Sequence, residues 1–419
     1  MSVTAPTSGT TRLHRLTMVT EDDGVMVGRP DICSYAVFPA EGAEALRLLD
    51  EGTPVSEVAA WYEETCGSSL DVDDFLEVLG DLGFILGDGE EEPPQAPIRW
   101  QRLGRLAFSW PAMTCYAVIT LAACVAMARF PYLRPTYRHL FFTKYLSLIP
   151  VAMAAATIPL VLLHESFHAL AGRRLGLPST LTIGRRFYYL VGETRLDSLF
   201  SVPKRKRYLP FLAGTIIDVV VLSALTLVAG VLHSQGFPAW SSGFCLAIAF
   251  ALLLRLIWQV QFYLETDFYY VISHAMRCPD LHQAAKFYVK ARAFRLLHRP
   301  PPQSDADAVW SDRDQAFARW YAPLLIIGYG FSLFTLLWAG IPSLIRFAEL
   351  LVGRFTGSHN PKGGILDALT FAVLMSLQWG LFLYVVVRDR RARTRQAPAE
   401  QATAEQATAE QSTAQGALT

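Results

Sequence analysis

The chain has 419 residues, 52 % of them apolar and only 18 % charged, and its mean hydropathy is +0.28. Soluble chains carry about a quarter charged residues, so the apolar surplus excludes a disordered or fibrous protein and points to several membrane spans. The zero net charge conceals a split: residues 1–97 hold 20 acids against 4 bases, a net of −16, and the remainder is +16.

Residues 1–11 are polar and contain no apolar targeting core, so the first domain is expected to stay in the cytosol. Residues 12–86 read as a small α/β domain. Alternating side chains over 13–20 and 25–29 predict two strands around the turn Glu21-Asp22-Asp23-Gly24. Three helices follow over 40–50, 54–66 and 71–82, with Leu46 and Leu49, Val55 and Val58, and Phe75 and Leu79 at helical spacing. Residues 83–86 close as a strand. Residues 87–105 form an acidic, proline-bearing linker and the entry to the membrane region.

The region 106–387 contains six apolar runs, at 106–128, 145–171, 209–232, 243–264, 321–341 and 366–387. Each approaches or exceeds the roughly 20 residues that cross a bilayer. Lys and Arg concentrate in the segments 172–208 and 265–320, with nine and eight, against none in 233–242. The positive-inside rule then places both termini in the cytosol of a multi-pass cell-membrane protein. Segment 180–191 reads as a hairpin and 280–299 as a basic amphipathic helix at the membrane surface. The tail 388–419 is basic, then a low-complexity Ala-Glu-Gln-Ala-Thr repeat expected to be disordered. Six cysteines without a CxxC spacing give neither a disulfide framework nor a cysteine zinc site.

The second run contains His164-Glu165-Ser166-Phe167-His168. Residues i and i+4 share a helix face, so both imidazoles can hold one zinc ion, with Glu165 placed as general base. A third ligand is expected near the same membrane face. Asp267, at the end of the fourth run, is the first choice, ahead of Glu265 and His274. Asp218 and Arg255 fall at one depth in adjacent runs. They are either partners of the zinc histidines, with Arg255 able to polarise a scissile carbonyl, or an ordinary buried ion pair. No phosphate loop or nucleic-acid motif is found. A strand edge in the 180–191 hairpin is expected to dock an extended substrate through Thr180, Leu181, Phe187 and Tyr188.

With HExxH at 164–168 and an acid at 267, the chain resembles the site-2 protease family of intramembrane zinc metalloproteases, in its bacterial peptide zinc metalloprotease branch. That family's second motif, N-x-x-P-x-x-x-x-D-G, supplies an Asp ligand. Asp267 takes the ligand position, while Gln259, Phe262 and Phe268 stand where Asn, Pro and Gly would be. The resemblance implies one Zn2+ per chain held by His164, His168 and Asp267, and implies that the hairpin is the family's membrane-associated β-element. Residues 12–86 resemble the PqqD-like domain, a winged-helix-type module that recognises leader peptides. The cues are Tyr35-Ala36-Val37-Phe38, the Leu48–Thr53 helix end and Asp73-Asp74-Phe75-Leu76 through Ile85. Its acidity implies a peptide bearing basic residues. The expectation is a mainly α polytopic membrane zinc endopeptidase acting on a membrane-associated or ribosomally made precursor peptide, with a membrane exporter as a partner. The alternative is a catalytically silent membrane protein that binds or helps export a modified peptide.

Overall fold

The computed structural model describes residues 11–335, apart from 22–23, 88–89, 91–96, 144, 146, 187–188, 197, 279, 297 and 299–311, together with scattered positions between 337 and 388. The N-terminal domain is built on an antiparallel meander of β1 (Thr17–Glu21), β2 (Gly24–Arg29) and β3 (Ser34–Phe38). The alternation rule finds the first two strands. It misses β3, because Tyr35-Ala36-Val37-Phe38 is a continuous apolar run without a period of two.

Helices α1 (Ala40–Asp50), α2 (Val55–Cys66) and α3 (Val72–Asp81) lie where the apolar spacing puts them. Helix α2 stops at Gly67, whose φ of +70° suits a residue without Cβ. Helix α3 is opened by Asp71, whose carboxylate accepts from the Asp74 N–H at 3.2 Å. Together they bury Val27, Leu46, Leu49, Val58, Leu79 and Phe84. At about 1.5–3 kcal/mol per buried side chain, this cluster holds the sheet and helices as one unit. The expected closing strand is a single bridge between Leu13 and Ile85.

A short helix α4 (Gln101–Ala107) precedes α5 (Trp110–Arg129). The first apolar run is therefore broken near 108–109. Ser109 caps α5 by accepting the Ala112 N–H, and Pro111 sits in its first turn, where its missing N–H costs nothing. Then come α6 (Leu148–Arg174), a hairpin of β4 (Thr180–Arg186) and β5 (Tyr189–Arg195), α7 (Lys204–Ser234) and α8 (Ala239–Trp258). Helices α5, α6, α7 and α8 are long and apolar enough to cross a membrane. The fourth run ends early: α8 stops at Trp258, and the chain passes through the 3-10 turn Phe262–Leu264 to α9 (Asp267–Met276).

Helix α7 packs against α5, α6, α8 and α9 and so forms the centre of this region. Helix α10 (Leu281–Leu296) falls within the segment read as a basic amphipathic helix. It packs on α11 (Asp312–Thr335) through Ala284, Ala285, Ala318 and Ala322. Helix α11 covers the start of the fifth run. The sixth run lies largely outside the described residues, as does the tail beyond Arg388. All six cysteines are free thiols.

Candidate metal centre

His164 and His168 project from one face of α6, and both are buried. Their Nε2 atoms are 3.2 Å apart. Asp267, the first residue of α9, brings its Oδ2 to 3.3 Å from each. The three donors thus form a nearly equilateral triangle. Bonds of about 2.0–2.1 Å in a tetrahedral site put donor atoms about 3.3–3.4 Å apart, so the triangle has the size of one tetrahedral face.

The other ring nitrogens determine which atoms face that point. His168 Nδ1 lies 2.7 Å from the Pro210 carbonyl oxygen, which can only accept. His164 Nδ1 lies 2.9 Å from Asp218 Oδ2. Arg255 bonds both oxygens of Asp218, which keeps that carboxylate an acceptor as well. Each Nδ1 therefore carries a proton, so that each ring, when neutral, turns its Nε2 lone pair toward Asp267. In that state three lone pairs converge on one point, a set that a cation satisfies. The donors His164, His168 and Asp267 could hold a metal ion.

Gln259 orients Asp267. Its Nε2 donates to Asp267 Oδ2 at 3.0 Å, and its Oε1 accepts the Asp267 N–H at 3.0 Å. The same amide both aims the carboxylate and satisfies an orphan N–H at the start of α9. The Thr266 hydroxyl donates to the Gln259 carbonyl at 2.7 Å, which closes the loop. With no metal ion between them, the upward push of burial on the Asp267 carboxyl would be outweighed by protonated His168 and His164, which would hold it well below the usual carboxylate range.

Helix α7 comes unusually close to the imidazoles. A Cβ on Gly214 would lie 2.3 Å from His168 Nε2 and 2.4 Å from His164 Nε2, so only glycine fits there. Sequence reasoning misses Gly214. Its one signal is a glycine inside an apolar helix, where Ala would be favoured by about 1 kcal/mol.

Glu165 is 7 % exposed and faces β5. The Thr194 hydroxyl lies 2.8 Å from its Oε2 and 2.9 Å from its carbonyl oxygen. A Cβ on Gly192 would come to 3.0 Å from its Cγ, so the strand runs close over the side chain. Thr194 and Gly192 are also absent from the sequence reading. Of the four residues expected to dock substrate, Thr180 and Leu181 lie on β4, and Phe187 and Tyr188 lie outside the described residues. Strand β4 contributes no described residue to the cavity, whereas β5 contributes Gly192, Thr194 and Arg195.

The two reserve ligands go elsewhere. Glu265, at φ +52°, faces His282 at 3.5 Å. His274 packs its ring against Tyr208 and Phe211. The metal donors and Glu165 line a cavity of about 1110 Å³, whose wall includes Arg255, Trp258, Phe211 and Tyr270. The N-terminal sheet contributes Glu21, Met26 and Val37 to the same wall. In comparisons with known proteins, no family model, curated protein or solved structure matches the chain.

Proposed function

We propose that the protein is a membrane zinc endopeptidase of the site-2 protease type. The observation that carries this reading is the convergence of His164 Nε2, His168 Nε2 and Asp267 Oδ2 beside Glu165 in one cavity. Nitrogen and oxygen donors in a tetrahedral arrangement suit zinc. Zinc held by His164, His168 and Asp267 would lower the pKa of a water and polarise a peptide carbonyl. Glu165 takes the proton as water attacks the carbonyl carbon. It then delivers that proton to the amide nitrogen as the C–N bond breaks, giving a carboxylate and an amine. Asp218 and the Pro210 carbonyl hold the two imidazoles in the tautomer that ligates, and Arg255 fixes Asp218 by bonding both its oxygens.

The four apolar helices support a multi-pass setting, with the runs at 321–341 and 366–387 as further spans. The basic segments 172–208 and 265–320 put the metal side, and both termini, toward the cytosol. The acidic N-terminal domain then meets a precursor peptide there, as a PqqD-like module would. Metal analysis and cleavage of a reconstituted precursor, read by mass spectrometry, test the proposal. Wild-type protein is expected to carry one zinc. Asp267→Ala should lose the metal, while Glu165→Gln should keep it and lose cleavage. Full cleavage by Glu165→Gln would overturn the enzymatic reading.

A further inference from the structure

The N-terminal sheet has two faces, and the domain's own helices cover only one. Val27 and Phe38 are buried on that side, with Met18, Val25 and Ala36 packed against the same cluster. The opposite face is turned to the membrane region. There Tyr35 packs on Phe200, with ring centroids 5.8 Å apart, and the Ser198 hydroxyl donates to the Pro30 carbonyl at 3.2 Å. The strongest tie is Arg207, which is 2 % exposed. It donates to the Glu21 carboxylate and to the carbonyls of Val202 and Phe200. Its guanidinium carbon also sits 5.3 Å from the centroid of the Phe200 ring. A cation so enclosed fixes the sheet against the segment that leads into α7.

This docking leaves Val37 exposed and Met26 partly buried on the outer face. Met26 and Val37 are cross-strand neighbours, and both line the cavity that holds the metal donors and Glu165. Val37 is 53 % exposed. At about 1110 Å³ the cavity exceeds the roughly 300–1,000 Å³ that encloses a drug-sized ligand, so it has room for several residues of an extended chain.

The geometry points to a further binding site: Met26 and Val37 form an apolar subsite of the catalytic cavity that holds an aliphatic or aromatic side chain of the substrate near the bond to be cut. This deepens the endopeptidase reading and rests on it. The N-terminal domain then selects residues at the cleavage position itself, by contact through a sheet face. That contact is separate from any capture of a distant leader segment along a strand edge. A pocket of this kind discriminates by apolar contact, which is worth about 10–200-fold between side chains that differ in size or polarity.

The test uses full-length protein in liposomes with a mixed-sequence peptide library, its products sequenced by mass spectrometry. Wild type should prefer sites with a large apolar residue at one fixed position relative to the cut. Val37→Asp should reduce kcat/KM for those sites by about tenfold or more, with zinc content unchanged. Val37→Ala, a milder change at the same exposed position, should relax the preference toward larger side chains and serves if the charged variant is unstable. An identical site preference in wild type and both Val37 variants would overturn the subsite while leaving the peptidase reading intact. No cleavage by zinc-loaded wild type would overturn both.

Discussion

Each imidazole at the centre commits one nitrogen to the protein and one to the converging point. That division depends on residues with little or no signature in a sequence. His164, Glu165 and His168 are legible because their spacing is local to one helix. Asp267 is legible through membrane topology, and Asp218 and Arg255 through equal depth in neighbouring helices. The Pro210 carbonyl is not legible, since any residue supplies one, and neither is Gly214, whose importance exists only where α7 meets α6. Gly214 offers a direct test. Alanine there puts a methyl group within 2.4 Å of both Nε2 atoms, and the rings cannot swing away without losing their Nδ1 partners. Gly214→Ala should weaken metal binding by about 10–100-fold, as when groups that orient ligands are disturbed. Helix content should be unchanged, because Ala is the better helix former by about 1 kcal/mol. Metal titration followed by circular dichroism would check both halves; full metal affinity in this variant would show that the close approach is not needed.

Among the elements, helix extents are read best and interruptions worst. The apolar runs locate α5 to α8, but two are cut short by local chemistry. Ser109 and Pro111 start α5 afresh, and the chain leaves the α8 axis after Trp258 so that α9 can present Asp267 from its first turn. An unbroken fourth helix would carry the carboxylate past the histidines. The hairpin illustrates a different limit. The sequence places its strands around Gly184-Arg185-Arg186, but those residues lie within β4, and which strand touches α6 is a tertiary fact: it is β5, running on to Arg195, that reaches Glu165. Thr194→Val keeps the shape of that strand and removes the hydroxyl beside Glu165 Oε2. A hydrogen bond to a charged group is worth about 1.5–3 kcal/mol, so kcat should fall by about tenfold or more with zinc content unchanged. Steady-state kinetics alongside metal analysis would decide; an unaltered kcat would remove Thr194 from the site.

At the scale of the whole molecule, an acidic domain and a basic, apolar one meet at a small number of defined contacts. The charge split is visible in composition, but the place where the charges touch is not. Arg207 belongs to the basic run Lys204-Arg205-Lys206-Arg207, which reads as a topology signal, yet this one member is buried against Glu21. Glu21→Ala leaves that cation with only carbonyl partners. Removing one member of a buried pair costs about 3 kcal/mol or more, so thermal unfolding in detergent should move to lower temperature. The N-terminal domain should also be released faster by limited proteolysis. Unchanged unfolding would mean that apolar contacts alone hold the interface.

The distance along the chain between the ligands has a consequence for biogenesis. His164 and Asp267 are separated by 103 positions, and the sheet that roofs the cavity precedes both. A ribosome therefore releases the roof first, the histidine pair later and the carboxylate last. During that interval the nascent chain holds two imidazoles and Glu165 but lacks the third donor. The three-donor set is thus complete only once α9 is made, after α5 to α8 have left the ribosome. A chain whose synthesis stops before residue 267 cannot assemble the centre.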